Sequence, residues 1–125
     1  MYNKSRFTLS HGELATHEFF IVCGKTDMRC GAFSLARKIQ DELKMNPLEK
    51  KIFLFCGSNN KCIKMLVWND NGFILLQKRL LSKGTFRWPS DGKEALNVSR
   101  ADVEMLLKGA ALFRKFPVLK GRLAV

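Results

Sequence analysis

The first stretch with a regular hydrophobic pattern is Glu18-Phe19-Phe20-Ile21-Val22-Cys23. Its aromatic and β-branched residues read as a buried strand, stopped by Gly24. Residues 1–17 ahead of it are polar, hold both histidines (His11 and His17), and read as a loose lead. After the strand, Thr26 or Asp27 can cap a helix over 27–44. Within that span Ala32, Leu35, Ala36, Ile39 and Leu43 recur at steps of three and four, one apolar stripe of an amphipathic helix. Arg37, Lys38, Asp41 and Glu42 lie largely off the stripe. Asn46-Pro47 ends the helix, because the residue before a proline disfavours helical backbone.

The middle of the chain reads as a β-meander over residues 51–88. Lys51–Cys56 is a second apolar run, broken by Gly57-Ser58-Asn59-Asn60. From Cys62 to Trp68 the residues alternate, with Ile63, Met65 and Val67 on one face and Lys64, Leu66 and Trp68 on the other. Asn69-Asp70-Asn71-Gly72 is a hairpin turn, since Asn and Gly tolerate positive φ. Phe73–Leu81 returns as a strand, Ser82-Lys83-Gly84 turns again, and Thr85-Phe86-Arg87-Trp88 reads as a last short strand closed by Pro89. Ser99 then caps a helix over 99–109, with Asp102 approximating a capping box and Val103, Leu106, Leu107 and Ala110 as its apolar face. The expected class is α+β: a mostly antiparallel sheet with an added N-terminal strand and two helices packed on one face. The expected organisation is a polar lead at 1–17, one domain at 18–115 and a basic tail at 116–125.

Composition changes the picture in one respect. The chain has 125 residues, 46% of them hydrophobic, with ten Phe, two Trp and one Tyr, enough for a core without metal or disulfide staples. Its charge is +11, from 22 Lys and Arg against 11 acids. Charge that far from neutral speaks of partners, with nucleic acid the first candidate and an acidic membrane surface the second. No apolar run is long enough to span a membrane, and none near the start suits a signal peptide. The four cysteines, at 23, 30, 56 and 62, form no CxxC, which fits a reducing cytoplasm.

The positive charge is concentrated. Lys50, Lys51, Lys61, Lys64, Lys78, Arg79, Lys83 and Arg87 fall between residues 50 and 90, where Asp70 is the sole acid. Lys108, Arg114, Lys115, Lys120 and Arg122 follow after 105 with no acid among them. Trp68, Phe86 and Trp88 are interleaved with the first group, either to stack on unpaired bases or to fill the core. Lys78 and Arg79, being adjacent, point to opposite faces of their strand. The acids are scattered, no Walker motif or GxGxxG occurs, and the cysteine spacings do not match zinc sites. The expectation is a non-enzyme without metal, cofactor or small-molecule substrate.

Four motifs in one order, from about Phe19 to Lys115, make the chain resemble the TnpB-type accessory protein of the insertion-sequence-66 family of bacterial mobile elements. Thr26-Asp27-Met28-Arg29-Cys30-Gly31 is similar to the family's T-D-M-R-K-G. Lys64-Met65-Leu66-Val67-Trp68, with Gly72-Phe73 after it, is similar to K-x-L-x-W-x-x-x-G-x. Lys78-Arg79-Leu80 and then Gly84-Thr85-Phe86-Arg87-Trp88-Pro89 match K-R-L…G-x-F-x-W-P, and Leu106-Leu107-Lys108-Gly109 matches L-L-x-G. Cys30 stands where the family usually has Lys, and Cys56-Gly57 replaces a more basic or polar pair. The resemblance implies an accessory role in DNA transposition beside a separately encoded transposase. DNA contact would run through Arg29, unless it pairs with Asp27 instead, and through Lys64, Lys78, Arg79, Lys83 and Arg87, mostly without sequence preference because lysine is a point charge rather than a bidentate reader. The alternative is a protein-interaction adaptor for the transposase that does not touch DNA.

Overall fold

The computed structural model describes residues 16–81, 84–89 and 94–107. In chain order the elements are β1 (Glu18–Lys25), α1 (Ala32–Asp41), β2 (Lys51–Cys56), β3 (Cys62–Asn69), β4 (Gly72–Arg79), β5 (Ala95–Val98) and α2 (Arg100–Leu107). The strands form one sheet in the order β4-β3-β2-β1-β5. Three of its pairings are antiparallel, and β1 with β2 is parallel, so α1 is the crossover between them. The α+β class and the mostly antiparallel sheet stand as expected.

The helices do not share a face. On one side of the sheet Leu35, Ala36 and Ile39 of α1 pack on Phe20, Val22, Phe53, Phe55 and Leu66. On the other side Val103 and Leu106 of α2 pack with Phe19, Ile21, Ile52, Leu54, Ile63, Met65 and Val67. The central strands explain this: β1, β2 and β3 are buried along nearly their whole length, so both sheet faces are apolar and each needs a cover. Each fully buried Leu, Ile or Phe contributes about 1.5–3 kcal/mol of transfer free energy.

Four local expectations are revised. Gly24 does not stop β1. At φ 84° it sits in a bulge, marked by a register shift between Ile21 and Lys25, and the strand continues. The helix after β1 starts at Ala32 behind Gly31 and ends at Asp41, shorter than 27–44. Asp27 is not its cap; its carboxylate accepts the Arg29 backbone N–H at 2.9 Å and closes a turn ahead of the helix. Thr85–Trp88 is not a strand: Phe86 and Trp88 point into the core from an extended segment without a ladder. The fifth strand is Ala95–Val98, antiparallel to β1. For α2 the expected cap is present, since the Asp102 N–H donates to Ser99 Oγ at 3.1 Å. No helix among the described residues is long and apolar enough to cross a membrane.

Candidate nucleic-acid interface

One end of the sheet collects a group of positive side chains. Lys25 ends β1, the 57–61 turn follows β2, and Arg79 ends β4 opposite Cys62. The Phe86 N–H donates to the Asn60 carbonyl, and the Gly24 N–H to the Pro89 carbonyl, so Arg87 lies at the same end. This end therefore gathers Lys25, Arg29, Lys61, Arg79 and Arg87, with Asp27 and Glu94 as the acids beside them. The opposite strand ends carry as many acids (Glu18, Glu49, Asp70) as cations (Lys50, Lys51, Arg100). The crossover is what produces the polarity. A parallel pair brings the C-terminal ends of β1 and β2 together at one end of the sheet.

A cleft of about 340 Å³ opens there, lined by Lys25, Thr26, Asp27, Met28, Gly57, Ser58, Asn59, Cys62 and Arg79. Its floor is close-packed. A Cβ on Gly57 would lie 2.7 Å from Cγ of Met28, so only glycine lets Met28 sit over the turn. Arg29 pairs with Asp27 through three side-chain contacts, Nη2 to Oδ2 at 2.8 Å and Nε to Oδ1 at 3.0 Å and to Oδ2 at 3.2 Å, on an exposed surface. Those hydrogen bonds, with that from the Arg29 backbone, hold the Asp27 carboxyl down at about 2. The pair has no net charge. Lys25 reaches Asn60 Oδ1, and the Lys61 ammonium donates to the Gly84 carbonyl at 3.0 Å.

The residues expected to contact nucleic acid separate into different environments. Arg79 and Arg87 are exposed at this end, and Arg29 is exposed but engaged with Asp27. Lys64 is 7% exposed on the α1 side, and its ammonium donates to the Cys30 carbonyl at 2.7 Å. It holds the loop before α1 and does not belong to an open positive surface. Lys78 lies on the α2 side, where its ammonium reaches the Leu107 carbonyl at the last turn of the helix. Lys83 lies outside the described residues. Phe86 is fully buried, and Trp88 is buried with its indole N–H donated to the Val22 carbonyl at 2.9 Å, so both belong to the core. Trp68 is half-buried and meets Phe73 edge-on, with ring centroids 5.1 Å apart.

Lys25 and Lys61 were absent from the expected set. Each sits beside a turn that looks like simple punctuation, and only the parallel β1–β2 pairing shows that the two turns share an end. All four cysteines are free, and among the described residues no cluster of three or more His, Cys, Asp or Glu could hold a metal ion.

A family model described as IS66 Orf2 like protein matches residues 17–115. An uncharacterized protein, y4hO of Sinorhizobium fredii (strain NBRC 101917 / NGR234), is 43% identical over 91 residues, which cover 72% of this chain and 77% of that protein. No solved structure matches.

Proposed function

The chain belongs to the IS66 Orf2-like family of transposition-associated accessory proteins, and from that premise we propose that it binds DNA through the basic end of its sheet while assisting the element's transposase. The observation that carries this reading is the one-sided charge. Lys25 and Arg79 line the cleft and Lys61 and Arg87 lie at the same end of the sheet, whereas the far strand ends are balanced. Cations so arranged neutralise phosphates and release counterions, which makes binding strong at low salt and nearly independent of sequence. Nothing in the described helices offers a recognition surface. α1 buries its apolar stripe against the sheet, and α2 is two turns long with Val103 and Leu106 buried. Specificity for element ends would therefore come from the transposase.

The test is a gel shift with the purified protein on duplex DNA at two salt concentrations, alongside the double variant Arg79→Glu, Arg87→Glu. Affinity should fall by orders of magnitude between about 50 and about 200 mM salt if six or more phosphates are contacted. The double variant should bind at least about tenfold more weakly with an unchanged melting temperature. A flat salt response, or an unaffected double variant, rejects the reading. The adaptor alternative has one observation in its favour. Phe33 on α1 is 79% exposed and meets Phe73 edge-on, so an aromatic patch including Trp68 lies open on the α1 side. That reading requires capture of the transposase without any DNA shift.

A further inference from the structure

Thr26 is the unusual residue of the cleft. It is 6% exposed, and its Oγ1 is buried with no hydrogen-bond partner among the described residues. Its backbone N–H donates to the Cys56 carbonyl at 2.9 Å, which holds the residue against the end of β2. A buried hydroxyl without a partner costs about 1–3 kcal/mol, so its position calls for an acceptor. Thr26 lies in the wall shared by two neighbouring clefts, and Lys25 and Asp27 line both with it. In the first of these Arg79 also lines the wall, together with the polar turn residues Ser58 and Asn59. Asp27 does not oppose an anion there, because Arg29 engages both of its carboxylate oxygens.

We propose that this cleft is a phosphomonoester pocket that takes the terminal phosphate of a single-stranded DNA end, with the Thr26 hydroxyl donating to a phosphate oxygen and Lys25 and Arg79 balancing its two charges. This rests on the DNA-binding reading and narrows it. Charge and shape select the ligand. A phosphate within a running strand carries one charge and a sugar on both sides, whereas a terminal phosphate has a sugar on one side only and a second charge for the two cations lining the cleft. Size agrees: about 340 Å³ is at the small end of ligand pockets, room for one nucleotide but not for a duplex. The pocket chemistry is common to a DNA end and a free nucleoside monophosphate, and competition separates these two sources.

The experiment is fluorescence anisotropy on the full chain with one short single-stranded oligonucleotide, carrying either a 5′-phosphate or a 5′-hydroxyl, and with a nucleoside 5′-monophosphate as competitor. The phosphorylated end should bind at least about tenfold tighter. Thr26→Val should remove that preference, and Thr26→Ser, which keeps the hydroxyl, should retain it. Valine removes an unpaired buried hydroxyl at nearly equal volume, so it should leave the melting temperature equal or higher. If the monophosphate competes at equal concentration and does so only with Thr26 intact, the pocket stands and its source is the free nucleotide. Equal binding of both ends without monophosphate competition overturns the proposal, as does a preference that survives in Thr26→Val. The two readings fail separately. Tight binding of unphosphorylated duplex with no end preference removes only the pocket. Thr26-dependent binding of the monophosphate without any duplex binding removes only the basic rim.

Discussion

Replacing Lys64 with methionine separates folding from DNA contact. The Lys64 ammonium is the far end of a side chain that is 7% exposed, and it donates to the Cys30 carbonyl at 2.7 Å, a short charge-assisted bond. Such a bond contributes about 1.5–3 kcal/mol. Methionine keeps the volume of the stem, so no cavity opens, and relief from burying an ammonium returns part of the loss. Cys30 is half-buried, so water can reach part of its carbonyl. The net destabilisation should be about 1–2 kcal/mol, a fall of roughly 4–8 °C in Tm for a domain of this size. Lys64→Ala should cost more, about 2–4 kcal/mol, because it also empties the space of the stem. Thermal unfolding followed by circular dichroism measures both variants. Anisotropy at low salt, well below their melting temperatures, should find Lys64→Met within about twofold of wild type, against at least about tenfold for the Arg79/Arg87 double variant. A Lys64→Met protein that melts within about 1 °C of wild type and loses as much DNA affinity as the double variant would falsify the placement of Lys64 in the fold.

Three more expectations follow from single contacts. With Trp68→Phe, the remaining indole of Trp88 should emit from a buried site and resist quenching by single-stranded DNA, since its N–H is held by the Val22 carbonyl; strong quenching would make it a stacking residue instead. Gly57→Ala should destabilise by about 1–3 kcal/mol through the clash with Met28, and shortening Met28 to Ala in the same chain should recover part of that; additive losses in urea unfolding would remove the clash as the cause. Burial pushes the Cys56 thiol up to about 12, whereas the unfolded thiol ionises near 9, so the folded state loses stability as pH rises between those values. Urea midpoints at pH 8 and about 11 should therefore fall more for wild type than for Cys56→Ala, and equal slopes would refute the assignment.

What could be read from the chain was whatever one local period carries. The α1 stripe, β2 from Lys51 to Cys56 and the β3–β4 hairpin around Asn69–Gly72 repeat a single pattern long enough to identify. β5 could not be read in this way: Ala95-Leu96-Asn97-Val98 is four residues with two poor strand formers, and its pairing with β1 spans more than seventy positions. Thr85–Trp88 misled in the opposite sense, because inward-facing Phe86 and Trp88 alternate with outward neighbours even where no ladder forms. The placement of the helices was hidden for a related reason. Continuous apolar strands bury both faces, and a pattern without alternation does not say which side a helix covers. Of the cations, sequence alone could not tell Lys64 from Arg79, since both sit on strands beside apolar residues and only three-dimensional packing buries one and frees the other.

The family-like segments then acquire a physical division of labour. Lys64 of the second holds the Cys30 carbonyl of the first, and Arg79 of the third lines the cleft with Thr26, Asp27 and Met28. Trp88, also of the third, ties itself to Val22 beside the start of that loop. These contacts bind segments distant in sequence to one end of the sheet, and they use up polar groups that would otherwise be free for a ligand. Lys25 and Lys61, next to those segments rather than within their matching positions, add charge at the same end while also tying turns together, Lys25 at Asn60 and Lys61 at the Gly84 carbonyl. Scaffold and binding charge are therefore carried largely by different residues. Charge reversal at the rim should alter affinity with little effect on folding, while substitution inside the segments should first alter folding. Arg79 is the exception, since it belongs to a family-like segment and is exposed in the cleft. Arg79→Gln alone is thus the sharpest single change. It keeps the stem and a polar head, removes one charge, and should leave Tm within about 1 °C, since exposed substitutions shift stability by only a few tenths of a kcal/mol. The same variant should lower DNA affinity by about two- to tenfold at low salt and flatten the salt dependence by close to one counterion. A variant that melts several degrees lower with an unchanged salt slope would place Arg79 with Lys64, among the residues that hold the fold.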